Sequence, residues 1–414
     1  MARRCAIVFC CLLWLGLMDA LGQSSESPIQ TFGYFQVIFE QQESTDESNQ
    51  ESSFSVQQLN LLFQKRLSRR WLAFVNFEVL NNFSSSRRWG SFTLDEAWIR
   101  YRANRQLTLK AGLHVPPFNH LNEIKNRTPL LPYVVRPLIY EESFAEFIDL
   151  EEFVPDRAFL QLNGSLPVGR VRLDYAAYLG NSPNINSQFD NEAGPARRQT
   201  GVDTTRTVLV GGRAGLRVGE VKLGVSATRD QMNALREIVM PPVEGVPSLL
   251  EGVAAEVFNG VPRTRLGVDL SLHPGRFSFE SELIAVRYGV DLPPELMRFP
   301  DGRAPSIDLD RVFYYGTLGY EATEDLFVYG SYWFTDQAFG IQAPRRVFRD
   351  EVDVDVFSVG ARYRLLQDED GLDRVTVKAQ YAYIPINFIA QLDATDIRGE
   401  QELHLFGVAV SVTF

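Results

Sequence analysis

Four histidines, His114, His120, His273 and His404, are the side chains of this sequence best suited to bind a metal or move a proton near neutral pH. His273 stands in a Pro-Gly turn, and His404 opens the last alternating run of the chain. His114 and His120 with Glu123 have donor chemistry, but their spacing, broken by Pro116 and Pro117, fits no metal-binding motif. A Ser–His–Asp or Ser–His–Asn set is assembled in space; a serine seated against His114 or His404 would reveal one. No nucleophile elbow, Walker loop or dinucleotide fingerprint occurs. Gly211, Gly212 and Gly215 follow a strand phase and open no helix, as close packing in a kinked strand requires. Asp368, Glu369, Asp370, Gly371 and Asp373 could attract calcium, yet their turn is far shorter than a loop of roughly twelve residues and reads as solvated. The expectation is a protein that is not an enzyme, with no catalytic residue, no metal ligand and no cofactor.

Charge offers a second chemistry. The stretch 115–155 carries Lys125, Arg127 and Arg136 against Glu123, Glu141, Glu142, Glu146, Asp149, Glu151 and Glu152. A complementary basic set lies outside it at one alternating phase: Arg100, Arg102, Lys110, Arg170, Arg172, Arg213, Arg217, Lys222, Arg362, Arg364 and Lys378. An acidic loop facing a basic wall sets up a transverse field that orders water and favours small polar solutes. The plainer reading is that these charges pin the loop and hydrate an interior. The formal charge of −11 argues against nucleic acid as a partner.

The elements that must position these residues are strands. Alternating runs bounded by turn residues fall near 31–40, 53–66, 71–80, 91–103, 106–114, 156–165, 170–180, 203–217, 219–229, 263–272, 275–288, 310–321, 325–336, 353–366, 374–385 and 401–414. Short turns such as 67–70, 104–105, 166–169 and 322–325 alternate with long connections at 41–52, 81–90, 115–155, 181–202, 230–262, 289–309, 337–352 and 386–400. Gln367 to Asp373 is the soft case, seven residues where a short turn belongs. This rhythm is the sequence form of an all-β fold, a 16-stranded antiparallel transmembrane β-barrel; a hairpin hidden in 115–155 or 230–262 would make it eighteen.

Closure follows from the solvent, because hydrocarbon cannot satisfy a free strand edge. In the run 374–385, Val375, Val377, Ala379, Tyr381 and Tyr383 are expected to face lipid, while Arg374, Thr376, Lys378 and Gln380 face a lumen. In 353–366, Val359, Ala361, Tyr363 and Leu365 point out and Arg362 and Arg364 point in. Trp71, Tyr101, Tyr175, Tyr178, Trp333 and Phe414 are expected in aromatic girdles at the interfaces. Hydrophobic residues make up 45% and aromatics 12% of the chain, yet no apolar run after residue 22 is long enough for a membrane helix. Residues 1–22 read as a cleaved export signal, with Arg3 and Arg4 before an apolar run and small residues before Gln23. The domain expectation is a signal at 1–22 and a barrel over 23–414. Cys5, Cys10 and Cys11 are the three cysteines, so the exported chain has no disulfide.

Three stretches carry a resemblance. Phe406, Val408, Val410, Val412 and Phe414 alternate with small or polar residues, a pattern that resembles the C-terminal signature of bacterial outer-membrane barrels. Asp95 to Tyr101, and Lys110 to Phe118 leading into 115–155, resemble the corresponding strands of the phosphate-selective (O/P-type) porin family. That likeness covers roughly 70–160. It implies a substrate-restricted, trimeric porin of the outer membrane, whose third outer loop folds inward as the constriction and whose last strand is read by the barrel-assembly machinery. It implies outer-membrane lipid as surroundings and small hydrophilic solutes or inorganic ions as cargo. The family's anion preference rests on basic residues at the constriction. Here 115–155 is net acidic, a departure that bears on phosphate selectivity. The pore-wall candidates are Lys110, Arg172, Arg213, Lys222, Arg362, Arg364 and Lys378. An outer-membrane hydrolase is one alternative reading. Another is a structural or adhesive barrel closed by its loops, for which the apolar stretch Leu130, Leu131, Tyr133, Val134, Val135 and Leu138 speaks.

Overall fold

A computed structural model describes residues 28–44, 50–81, 90–141, 153–182, 184–190, 194–200, 205, 207–232, 261–289, 306–308, 310–343, 346–367, 374–392 and 395–414. Sixteen strands close into one antiparallel barrel. They are β1 (Gln30–Ser44), β2 (Gln50–Arg66), β3 (Trp71–Asn81), β4 (Ser91–Arg102), β5 (Thr108–His114), β6 (Ala158–Val168), β7 (Val171–Gly180) and β8 (Leu209–Val218). The second half comprises β9 (Val221–Met232), β10 (Val261–Leu272), β11 (Phe277–Tyr288), β12 (Arg311–Glu321), β13 (Leu326–Ala343), β14 (Arg346–Gln367), β15 (Arg374–Leu392) and β16 (Thr395–Thr413). β1 pairs with β16 from Tyr34↔Thr413 to Ser44↔Leu403, which joins the two ends of the sheet. Gly33 and Phe414 exchange backbone hydrogen bonds of 2.8 and 3.0 Å at the seam.

Each of the sixteen runs read from the sequence occurs as a strand, and no strand from 115–141 enters the barrel. Outside it, 184–190 pairs with 194–200 as a separate hairpin, and Ser306–Asp308 pairs with Gly340–Gln342 of β13. Two expected loops are instead ladder. β13 and β14 remain paired to Ala343↔Arg346, and β15 and β16 to Leu392↔Thr395. Charges at both parities hide these strands in the sequence, because beyond the hydrocarbon neither face has to be apolar.

Alternation sorts the two faces. On β9, Ser226, Thr228 and Asp230 are buried inside while Val221, Leu223 and Val225 stand exposed outside. Leu266, Val268, Val359, Phe406 and Val410 continue that exposed apolar surface around the sheet. An apolar belt of this extent is stable only against lipid. Aromatic pairs mark its borders, Trp71–Tyr101 at 4.8 Å near one rim and Tyr332–Phe357 at 5.1 Å near the other. Tyr178 and Trp333 are corrections to the expected girdle: they lie at inward phases and are buried. Tyr175, three residues from Tyr178 and therefore on the opposite face, stays at the surface with its hydroxyl on the Gln106 carbonyl at 2.8 Å.

Candidate functional site

The described part of the connection after β5, residues 115–141 and 153–157, lies inside the barrel. Its prolines exclude it from strand ladders, and it advances through three single 3₁₀ turns, Asn122–Ile124, Thr128–Leu130 and Leu138–Tyr140. Leu131, Tyr133, Val134, Val135 and Leu138 are buried; Leu130 is half exposed. They pack with Phe118, Ile139, Tyr140, Phe153 and Val154 against inward residues of β11 to β16, among them Val286, Phe313, Trp333, Val356, Ile384 and Leu403. A sheet whose inner face is apolar on one side only thus draws the loop to that side.

Polar pins fix its position. Gln380 of β15 accepts the Val134 and Val135 amides at 2.8 and 2.9 Å, and returns its own amide to the Val135 carbonyl at 3.1 Å. Gln57 and Gln58 of β2 hold the Val134 carbonyl and the Thr128 amide, each at 3.0 Å. Glu282 of β11 accepts the amides of His120 and Leu121 and the Tyr140 hydroxyl. A β-bulge at Asn76/Phe77 lets both Asp95 and Glu96 of β4 face the loop. Asp95 accepts from Asn126 at 2.9 Å, and Glu96 lies 3.7 Å from Arg127. Asn119 is wedged over Gly267, where a Cβ would come within 2.2 Å of its side-chain oxygen. Apart from Arg127, none of these pins stood out as functional in the sequence. Their one signal is a polar residue at an inward phase.

Among the constriction-loop candidates, Lys125 pairs with Asp156 at 3.0 Å. Burial would raise the Asp156 carboxyl, but Lys125 and Arg157 outweigh it and hold it below the usual range. Arg136 and Glu141 pair with each other at 3.3 Å and are buried, so neither faces open lumen. Glu142, Glu146 and Asp149 lie outside the described residues, as do Glu151, Glu152 and the export signal.

Among the wall candidates, Lys110 stands over the Trp98 ring at 5.0 Å, and Arg213 is held by Asp269 at its Nε (3.2 Å). Arg172 is exposed beside Arg217, and Lys222 is half-buried opposite Ser271. Arg362 stacks on Phe327 at 5.1 Å and Arg364 lies 3.8 Å from Asp325, both near the short-turn rim. Lys378 points inward as expected but is fully covered. Its ammonium donates to Gln36 at 2.8 Å and to the Thr128 carbonyl at 2.9 Å, so it fastens the loop and offers no charge to the lumen.

His114 and His404 serve structure. His114 donates from Nδ1 to the Gly112 carbonyl at 2.8 Å, and His404 Nδ1 lies 2.7 Å from the Tyr381 hydroxyl. Neither pairs with a serine side chain among the described residues. Among the described residues no three His, Cys, Asp or Glu side chains group to hold a metal ion.

A closed sheet with an apolar exterior, an inner wall polar on one side and apolar on the other, and a loop folded against it defines a class by fold, the sixteen-stranded transmembrane β-barrels. Solved structures share this fold. The anion-selective porin from Comamonas acidovorans matches with TM-score 0.55 and 12% identity over 94% of this chain and 100% of that one. The outer membrane channel DcaP of Acinetobacter baumannii matches with 0.53 and 10% over 95% and 99%. OmpT, an outer membrane protein of Vibrio cholerae, matches with 0.52 and 9% over 94% and 99%. At such identity the likeness is one of fold. No family model matches the chain, and no curated protein does.

Proposed function

We propose that the chain is a bacterial outer-membrane porin, exported on residues 1–22 and folded over 23–414, that passes small hydrophilic solutes passively and prefers anions. The observation that carries the preference is how charge is sorted on the inner wall of β4 to β11. The described inward carboxylates there all face partners. Asp95 and Glu96 meet the loop, Asp174 meets Arg217, and Asp269 meets Arg213. Asp230 meets Arg263 and Arg265, Glu280 meets two histidines, and Glu282 meets the loop amides. Arg100, Arg172 and Lys222 remain at least partly exposed on the same wall, and Arg100 feels the charges of Arg102 and Arg66. A basic wall beside low-dielectric surfaces concentrates anions. The resemblance of 95–101 and 110–118 to phosphate-selective porins points the same way, as does the selectivity named for the Comamonas structure; both are analogies. The same resemblance supports a homotrimer delivered by the barrel-assembly machinery.

A second reading, a barrel closed by its own loop, is favoured by the apolar core between 131–140 and the wall. Planar-bilayer recording across a salt gradient separates the two. Stable steps with an anion-signed reversal potential support the porin. A cation-signed potential removes the anion preference and credits the acidic residues of 142–152. Correctly folded protein that gives no steps is a closed barrel.

A further inference from the structure

Two carboxylates on one face of β11 grip the start of the inner loop. Glu282 is buried, and its Oε1 accepts the amides of His120 (2.8 Å) and Leu121 (2.7 Å) while its Oε2 accepts the Tyr140 hydroxyl (2.7 Å). A single side chain therefore ties together both ends of the arc 120–140. Glu280, one inward position nearer the short turn, has its Oε1 3.7 Å from His120 Nε2 and 3.8 Å from His273 Nε2. His273 belongs to the turn before β11, and its Nδ1 meets Ser271 Oγ at 3.3 Å. Loop and barrel thus meet across a His–Glu–His cluster.

We propose that this cluster is a proton-operated latch: a proton on His120 tightens β11's hold on the arc, and its loss slackens the arc and widens the passage. The inference rests on reading 115–155 as the element that narrows a pore.

The groups around His120 set the sign. Burial pushes the imidazole down, but the charge of Glu280, 3.7 Å away, and then those of Glu282 and Asp269 outweigh it, so its pKa lies above the ordinary 6.5. Lys222 of β9 and His273 also face Glu280 and compete for it, while Arg213 shares the charge of Asp269. The loop's own Tyr133 and Tyr140 hydroxyls stay neutral, because burial raises both. A raised folded pKa means that the stabilisation is complete below 6.5 and is lost as pH rises through the raised value. The arc is therefore tightest on the acid side. Glu282 bonds backbone amides whatever the state of His120, so the arc gains play at alkaline pH without leaving its seat.

All three cysteines lie within residues 1–22, so a single Leu130→Cys in the exposed turn takes a spin label cleanly. Label mobility in the folded, detergent-solubilised protein is followed from about pH 5 to about pH 9, the range that brackets histidine titration. The expected result is mobility rising with pH, with a midpoint above 6.5 and a parallel rise in open-channel noise. H120Q and E280Q, which leave the Glu282 contacts in place, are expected to abolish the transition and hold the label in its mobile state. A flat wild-type titration, or H120Q with the wild-type midpoint, overturns the latch. A label transition in protein that conducts nothing upholds the latch and removes the pore reading, whereas conducting protein without the transition does the reverse.

Discussion

Single residues decide how firmly the loop is seated, and Gln380 shows how. Its carbonyl oxygen accepts from Val134, Val135 and the Tyr329 hydroxyl (2.9 Å), all in a buried setting. Gln380→Leu keeps roughly the volume and strands two amides, a hydroxyl and the Val135 carbonyl. At ~1–3 kcal/mol for each unmet buried group, the loss is expected to reach several kcal/mol, read as a lower urea midpoint in detergent. Asp269 tests charge in place of packing. It is almost completely buried and neutralises Arg213 on the lumen wall. Asp269→Asn removes that neutralisation while keeping the shape, so the reversal potential is expected to move further toward anions at unchanged unitary size. An unchanged potential would mean that Arg213 does not face the permeating ions.

At the scale of elements, the strands were legible because lipid on one side and polar lumen on the other impose period two. Val375 to Tyr383 and Phe406 to Phe414 could be read directly. The rule fails wherever one of those two environments is missing. Beyond the aromatic border of β13 to β16 both faces meet water, so the ladders there looked like loops. Inside, Trp333 looked like a girdle residue although the loop had turned its side of the wall into core, and Tyr178 is buried instead with Ala158 and Leu209. The bulge that turns both Asp95 and Glu96 inward has no period at all, and neither does the seat at Gly267. The apolar run 130–138 did signal a plug, yet where it docks depends on strands some 150–270 residues further on. That seat gives an element-level prediction. Gly267→Val sets side-chain atoms where the Asn119 amide now lies. Asn119 is anchored at its own amide to Ser226 (3.0 Å), so the loop's first turn must shift from the wall. Larger, noisier conductance steps with near-normal barrel stability are expected in bilayer recordings; steps like wild type would show that the first turn does not shape the passage.

For the whole molecule, closure and filling are separate achievements. The β1–β16 seam satisfies the backbone, and the loop then builds on the inner wall the apolar core that a barrel of this girth would otherwise lack. That core is lopsided. It lines β11 to β16, the same side on which β13 to β16 outrun the bilayer. β15 continues for nine residues past Tyr383 to Leu392, paired along that length with β16. At ~3.3 Å per residue the ladder carries its tip roughly 25–30 Å along the strand beyond the aromatic border. Such a hairpin is a mast stepped in a membrane. Whatever is fixed to its top is held at a set height above the membrane by the backbone ladder. A short peptide tag inserted between Ala343 and Arg346 or between Leu392 and Thr395 is expected to bind antibody on intact cells, with conductance unchanged. The same tag at the short turn between β12 and β13 is expected to stay hidden until the envelope is opened.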